Sequence, residues 1–356
     1  MRGRPTPATA PLDEEQEGKQ MIGRPSQLAA ALGALVLVLT GCATGAAHSG
    51  GGTTLRLALN QSEDHPSFTA LENFGERLSE RTGGRWKIDV HPNSNLGSQL
   101  ETLQLTSDGS VDLAIVSGTQ LENLDRDFVV FNLPHVFDSI EHQMEVINDP
   151  GIVGDLYSSL EHRNLTVLGG FTQGARSVYS SRGPVTAPAD LAGQKIRVQE
   201  SEVHSDMLDM MGGSATPMSY GEVYTALQSG VLDGAENNEV SYVTQKHYEV
   251  APHFSRTEHL IGLDYLVANT GRLTRMPAAD RAVFDAEWNA TMREFTALWA
   301  QATEDAVAEL RSRGVRFHEV DAAAFREALA PLTERALDEA GASARTIYEQ
   351  ARAAAR

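Results

Sequence analysis

The sequence is poor in cysteine and in positive charge. Its single cysteine, Cys42, excludes an internal disulfide. Only 29 of its 356 residues are Lys or Arg, against 48 Asp or Glu, which gives a formal net charge of −19. A surface this acidic repels nucleic acid and anionic lipid, so neither is expected as a partner. An anionic ligand would have to be attracted locally, by a few desolvated arginine side chains.

The common sequence signatures of catalysis are absent as well. The chain has no HExxH, no GxGxxG after a strand, no GxxxxGK[ST] and no GxSxG. Its 11 histidines are scattered, and no spacing such as CxxC indicates a metal site. We therefore expect no metal and no cofactor. An enzyme with catalytic residues dispersed along the chain is the less favoured hypothesis.

The N-terminal region lacks an apolar run long enough to span a bilayer. Apolar residues extend from Leu28 to Leu39, whereas a membrane-spanning helix needs about 20. With Arg24 before this run and Leu39-Thr40-Gly41-Cys42 at its end, residues 21–41 are typical of a secretion signal. The final four residues resemble the bacterial lipobox, which implies that Cys42 is acylated and anchors the protein to the membrane outside the cytoplasm. The alternative is an ordinary signal peptide that happens to contain a cysteine.

Two short segments flank this signal. Residues 1–20 are polar and precede a second methionine, Met21, so a wrongly assigned start would account for them; with the signal they make up the region 1–41. Residues 42–53 are rich in Gly, Ala, Ser and Thr and are predicted to form a flexible tether.

From Thr54 onwards, strand and helix patterns alternate. Apolar residues at every second position predict strands at 55–59 and 86–90, and a stripe with helical spacing predicts a helix between them. A second series contains strand-like residues 166–171, 177–180 and 195–198. This rhythm indicates βαβ units, a mostly parallel sheet and therefore an α/β fold.

The late part of the chain predicts one very long helix. Apolar residues three or four apart form an unbroken stripe over about 278–313, and at 1.5 Å per residue the helix would be roughly 50 Å long. Since a chain of 356 residues suits two domains, this helix is expected to brace both. Gly314 ends it, and Asp321 is predicted to cap a last helix that Pro331 kinks or interrupts.

Several motifs, taken in order, resemble one protein family. Residues 193–238 include GQKIRV and GGSATPMSYGEVYTALQSGVLDGAENN, preceded by HPNSNLG at 91–97, FNLPHVF at 131–137 and GAR at 174–176. Together they resemble the solute-binding subunit of tripartite ATP-independent periplasmic (TRAP) transporters. The resemblance implies a two-lobed periplasmic-binding-protein-like fold, similar to type II, with crossing strands and a long helix joining the lobes. It also implies two partners, a small carboxylate ligand and the membrane subunits of a TRAP permease.

The resemblance also suggests how the chain is divided. Lobe I is predicted to comprise residues 54–174 and about 263–302, and lobe II residues 175–262 and about 315–356. The helix at about 278–313 would bridge the two lobes, which close around the ligand.

Arg197 is the first candidate for ligand binding. It lies in the apolar strand Ile196-Arg197-Val198, where a charge needs a neutralising partner. A guanidinium offers a rigid fork that matches both oxygens of a carboxylate. In the resembled family the Arg of this motif binds the ligand carboxylate; the alternative is a buried structural ion pair with an Asp or Glu.

Further candidates follow from the resemblance. Arg176 corresponds to a second Arg near the carboxylate, and Asn237 to an Asn that contacts it. The remaining candidates are an aromatic over the ligand (Tyr220), a ligand-facing amide (Asn60), a loop histidine (His65) and an acceptor for sugar hydroxyls (Asp264). Four of them have an ordinary structural alternative: a surface Arg for Arg176, a turn cap for Asn237, a core aromatic for Tyr220 and a cap or surface residue for His65.

The same motifs narrow the range of expected ligands. Ser117 and Gln120 stand where sialic-acid binders carry Glu and Arg, and residues 221–238 resemble the branch that takes uronates and related sugar acids. The predicted function is capture of such an acid for a membrane permease. A C4-dicarboxylate ligand and an extracellular ligand sensor stay open as alternatives.

Overall fold

The computed structural model describes residues 52–355, so the predicted signal region and Cys42 lie outside the described residues. Within this part of the chain, nine strands form one continuous sheet in the order β2-β1-β3-β8-β4-β7-β5-β6, with β9 paired to β8. In chain order they are β1 (Thr53–Ala58), β2 (Trp86–His91), β3 (Leu113–Ser117), β4 (Leu165–Ser180), β5 (Lys195–Val198), β6 (Ser214–Pro217), β7 (Gly234–Asn237), β8 (His253–Asn269) and β9 (Arg316–His318).

Helices cover the sheet. Among the described residues they are α1 (Pro66–Arg81), α2 (Gln99–Asp108), α3 (Gly118–Glu122), α4 (Ile140–Ile147), α5 (Pro150–Ser158), α6 (Glu202–Met210), α7 (Val223–Gln228), α8 (Glu239–Thr244), α9 (Thr270–Thr274), α10 (Ala278–Ser312), α11 (Ala322–Ala340) and α12 (Ala342–Ala353). Within the same residues, no helix combines the length and the apolar character needed to cross a membrane.

Local sequence explains where these helices begin and end. Helix α2 starts with a capping box, in which Ser98 and Glu101 satisfy each other's backbone N–H groups, and it ends at Gly109 with a φ of 79°. Helix α11 begins after Asp321, whose side chain accepts a hydrogen bond from the N–H of Ala324, as predicted. Pro331 lies inside α11 and does not interrupt it, since the helix continues to Ala340.

The centre of the sheet differs from the predicted pattern. The outer strands pair in parallel, as expected for βαβ units, but β4 and β8 pair antiparallel with each other over nearly their whole length. The prediction of separate strands at 166–171 and 177–180 was wrong, because β4 is a single strand of 16 residues. Three register shifts and the positive φ of Gly174 (65°) break the alternation of side chains between the two faces of β4, but the pairing of β4 with β8 continues.

This pair of strands connects two groups of outer strands. Strand β3 pairs with the end of β8, and β7 with the end of β4, so the two groups lie at opposite ends of the β4–β8 pair. One group comprises β1, β2 and β3, and the other β5, β6 and β7. This arrangement is the two-lobed α/β fold; the residues at which the lobes divide stay a prediction.

The long helix is confirmed. Helix α10 has 35 residues, about 50 Å at 1.5 Å per residue. Residues from Phe284 to Ala306 pack in the core that contains α1, and Leu310 packs in a second core with Val223 of α7 and Tyr242 of α8. The helix therefore contributes to the apolar core of both groups of strands.

Candidate functional site

A cavity of about 260 Å³ lies between the two groups of strands. All seven residues predicted to bind ligand line it: Asn60, His65, Arg176, Arg197, Tyr220, Asn237 and Asp264. They come from six different segments of the sequence. The structure therefore brings the predicted residues together, although their contact with a ligand stays a prediction.

Arg197 is a buried cation without an acidic partner among the described residues. Its side chain is 3% exposed, and its Nε and Nη2 both donate to a single acceptor, the carbonyl oxygen of Met218, at 2.9 and 2.7 Å. No described residue accepts a hydrogen bond from Nη1. Burial lowers the pKa of Arg197, and the charge of Glu236 partly offsets this effect. The alternative of an ion pair with an Asp or Glu is not what the structure shows.

Arg176, in contrast, is fully engaged by the protein. Its Nε and Nη2 donate to Glu236, and its Nη1 donates to Gln173 Oε1 at 2.7 Å and to Asn237 Oδ1 at 2.9 Å. All five N–H groups of this guanidinium therefore have acceptors. With 1% of its surface exposed it is not the surface Arg of the alternative reading, and in this structure it orients neighbouring side chains.

Asn237 is oriented by these bonds. Its Oδ1 accepts from Arg176 and also from the backbone N–H and the Nδ2 of Asn238. Its own Nδ2 donates to no described residue, and the side chain lines the cavity. Asn237 can therefore offer a ligand a donor but not an acceptor.

Asp264 is the acidic candidate residue in the wall of the cavity. Gln173 Nε2 donates to its Oδ1 at 2.6 Å, and Gln61 Nε2 donates to its Oδ2 at 2.9 Å. Burial raises the pKa of Asp264 to about 6, against the opposing effects of Gln173 and Arg176. Each carboxylate oxygen keeps capacity to accept a further hydrogen bond.

The other predicted residues complete the walls. The ring of His65 caps α1 by accepting from the N–H of Ser67, and burial lowers its pKa to about 3, so it is neutral. The Oδ1 of Asn60 is buried without a partner among the described residues. Burial raises the pKa of Tyr220 to about 12, which keeps its hydroxyl protonated.

Sequence reasoning missed several residues of this site. Gln61 and Gln173 were not selected, since glutamines at strand ends carry no distinctive signal. Trp299 belongs to the apolar stripe of α10; it is 2% exposed in the core and also lines the cavity, with its ring centroid 5.8 Å from that of His65. Glu236 was not selected either, and the structure shows it as the ion-pair partner of Arg176.

The two walls of the cavity touch at one side. Ser117 Oγ, at the end of β3, donates to Gln199 Oε1 at 2.8 Å, and Asn123 Nδ2 donates to the carbonyl oxygen of Glu200 at 3.1 Å. Glu122 is buried beside these contacts, where it accepts from Asn132 Nδ2 at 2.6 Å.

Comparison with known proteins assigns this architecture to a family. Residues 57–339 match the family described as bacterial extracellular solute-binding protein, family 7, or DctP. The chain belongs to this family. A solute-binding protein of Chromohalobacter salexigens is 35% identical over 277 residues, which are 77% of this chain and 82% of the relative. The C4-dicarboxylate-binding periplasmic protein DctP of Rhodobacter capsulatus is 30% identical over 285 residues, 78% of this chain and 85% of the relative.

A solved TRAP periplasmic solute-binding protein from Anaerococcus prevotii, with bound α/β-D-glucuronate, is 36% identical. It superposes with a TM-score of 0.82, covering 85% of this chain and 98% of that one. The predicted TRAP family and two-lobed fold are thus confirmed. In this TRAP solute-binding protein, the cavity between the lobes is the candidate ligand site.

Proposed function

We propose that this TRAP solute-binding protein captures a hexuronate or a closely related sugar acid, with the ligand carboxylate against Arg197. The observation that carries the proposal is the buried Arg197 guanidinium, which has unused N–H groups and no acidic partner among the described residues. Burying an unneutralised cation is unfavourable, so an anion entering the cavity supplies the missing charge. A carboxylate matches the guanidinium geometry, and the Nδ2 of Asn237 adds a further donor.

The acceptors around Asp264 favour a ligand that carries hydroxyl groups. Asp264 keeps acceptor capacity, and two further oxygens, Asn60 Oδ1 and Gln61 Oε1, have no hydrogen-bond partner within residues 52–355 and belong to residues that line the same cavity. A sugar ring carries O–H donors that such acceptors can bind. The Anaerococcus relative binds D-glucuronate, a ligand with a carboxylate and several hydroxyls.

A C4-dicarboxylate is the alternative ligand, favoured by the name of the Rhodobacter relative. Such a ligand needs hydrogen-bond donors or cations for both of its carboxylates. The described residues offer Arg197 at one pole, whereas Arg176 has all its donors engaged and Asp264 is acidic. The charge distribution therefore favours the sugar acid.

Capture is followed by closure of the lobes and delivery. Closure removes water and lowers the local dielectric, which strengthens the pairing with Arg197. The closed protein would then deliver its ligand to a TRAP permease, held at the membrane by a lipid on Cys42. A protein that senses its ligand would use the same cavity. To distinguish transport from sensing, uptake of labelled glucuronate is measured in vesicles that contain the permease. Uptake that occurs only when this protein is added indicates transport.

A ligand screen tests the binding proposal directly. The melting temperature of the purified protein is measured with D-glucuronate, D-galacturonate and succinate. A ligand at 100 times its dissociation constant stabilises the folded state by about 2.7 kcal/mol. We expect a rise with the uronates. A rise with succinate alone would assign the dicarboxylate function instead, and NMR of bound glucuronate after long incubation would reveal any turnover.

A further inference from the structure

Gln173 links the Arg176 guanidinium to the Asp264 carboxylate in the wall of the cavity. It lies on β4, is 7% exposed and lines the cavity. Its Oε1 accepts from Arg176 Nη1 at 2.7 Å, and its Nε2 donates to Asp264 Oδ1 at 2.6 Å. One amide thus connects the Arg176–Glu236 pair to the Asp264 carboxylate.

The orientation of this amide is fixed by the chemistry of its neighbours. A guanidinium has only donors, so it requires the amide oxygen on its side. The amide nitrogen must then face Asp264, where it can only donate. A rotation that exchanged the two ends would place N–H against N–H and leave Arg176 with an unsatisfied buried donor.

Gly262 on the adjacent strand leaves room for the Gln173 side chain in this position. A Cβ added at Gly262 of the adjacent strand β8 would lie 2.6 Å from Gln173 Oε1 and 3.1 Å from Arg176 Cδ. The absence of a side chain at Gly262 therefore leaves the space that Gln173 occupies.

We propose that Gln173 is a positioning residue that determines specificity, because it holds Asp264 as an acceptor for ligand hydroxyls. Gln61 likewise donates a hydrogen bond to the second carboxylate oxygen of Asp264. The chain Arg176–Gln173–Asp264 thus gives the cavity a fixed polarity, with donors at the Arg197 end and acceptors at the other. This inference rests on the proposed function, since it assumes that Arg197 binds the carboxylate.

The substitution Gln173→Glu tests the proposal, because Glu can still accept from Arg176 but no longer donates to Asp264. Affinity is measured by calorimetry for D-glucuronate and for cyclohexanecarboxylate, a ring acid without hydroxyls. We expect the variant to bind glucuronate at least about tenfold more weakly, as for the loss of a hydrogen bond to a charged group. Affinity for cyclohexanecarboxylate should change less than about threefold, so the ratio of the two affinities falls.

A pH profile separates positioning from a structural role. The groups that act on Asp264 are Gln173 and Arg176 from β4 and Gln61 beyond β1. Since hydroxyls bind the ionised carboxylate, glucuronate affinity of the wild type should fall as the pH drops through about 6. In the variant the midpoint should move to higher pH, because a donor is lost and a second carboxylate faces Asp264. A structural role would leave the midpoint unchanged.

Gln104→Glu is the matched control, since Gln104 donates to Asp108 in the same way on the exposed surface of α2. It should change neither the affinity ratio nor the pH midpoint. If Gln173→Glu does not fold, Gln173→Met, which also lacks the donor, should show the same loss of selectivity. An unchanged ratio and midpoint in a folded Gln173 variant overturn the inference. If wild type binds no uronate, the proposed function itself fails.

Discussion

Arg176 and Glu236 form a buried, two-pronged ion pair beside the ligand cavity. Arg176 Nε lies 2.6 Å from Oε2 and Nη2 lies 2.7 Å from Oε1, with the two side chains 1% and 0% exposed. Burial opposes both charges, but the pairing outweighs it, so the pKa of Glu236 is lowered and that of Arg176 is raised. Because Arg176 in turn holds Asn237 and Gln173, this pair fixes the geometry of the site.

Glu236→Gln should destabilise the protein strongly. Removing one partner leaves a buried charge uncompensated, which typically costs about 3–5 kcal/mol of unfolding free energy. Urea denaturation of both proteins measures the difference. The control is Glu309→Gln, which removes an exposed ion pair with Arg313 on α10 and should cost less than about 1 kcal/mol. Equal effects of the two substitutions would contradict the role of the buried pair.

The same pair predicts a loss of stability in acid. The pKa of Glu236 is lowered in the folded state, so its contribution is fully present above the usual pKa of Glu, about 4.3, and is lost as the pH falls below it. Urea denaturation at pH 7 and pH 3.5 should therefore show a smaller acid-induced loss in Glu236→Gln than in the wild type. A loss of the same size in both proteins would argue against this assignment.

Arg197→Ala should abolish tight uronate binding with little effect on the fold. Loss of one partner of a buried charged contact costs about 2–5 kcal/mol, equivalent to at least about 30-fold in affinity. Arg197→Lys should recover only part of this loss, because an ammonium lacks the planar fork. Calorimetric titration with D-glucuronate measures both. Arg182→Ala, at an exposed position beyond β4, is the control and should bind as the wild type does.

Glu122 should make stability fall as the pH rises. Burial raises its pKa to about 7, against weaker effects of Ser201 and Asn132. A carboxyl with a raised pKa stabilises the folded state below its unfolded pKa, and this contribution is lost as the pH rises through about 7. The shift corresponds to roughly 3 kcal/mol.

Melting temperatures at pH 5 and pH 8 test this for Glu122. The decrease between the two should be smaller in Glu122→Gln than in the wild type. Glu141→Gln, the same substitution at an exposed position of α4, should leave the wild-type difference unchanged. An identical decrease in Glu122→Gln and wild type would show that Glu122 does not cause it.

Two glycine substitutions should have opposite effects. At Gly174 the φ is +65° and an added Cβ would lie 2.6 Å from Trp299 Nε1, so Gly174→Ala should destabilise the protein by about 1–3 kcal/mol. Gly154 lies in α5 with no atom within 4 Å of an added Cβ, so Gly154→Ala should stabilise by about 0.5–1 kcal/mol. Urea denaturation measures both, and a neutral Gly174→Ala would show that β4 adapts at this point.

The elements with regular apolar spacing could be predicted from the sequence. The apolar stripe of α10 and the alternating apolar residues of β1 and β2 predicted the positions of these elements closely, because one face of each element is buried. Strands β4 and β8 could not be predicted as continuous, because bulges and glycines break their period and both of their faces are largely covered.

The site was predictable only in part, for a related reason. Arg197 was recognisable as a charge within an apolar strand, and the other candidates came from motif resemblance. The saturation of Arg176 by Glu236 depends on the pairing of β4 with β7, which no local pattern encodes. For the same reason Gln173 and Gln61 became visible only once the strands were assembled around the cavity.

Helix α10 and the β4–β8 pair contribute to the apolar cores on both sides, so each core depends on elements that it shares with the other. Unfolding of one lobe would expose apolar residues of this helix and these strands to water, and the other lobe depends on the same elements. Heat should therefore denature residues 52–355 in a single calorimetric peak, with equal van't Hoff and calorimetric enthalpies. Lobes that moved against each other to enclose a solute, as we propose, would then still unfold as one cooperative unit.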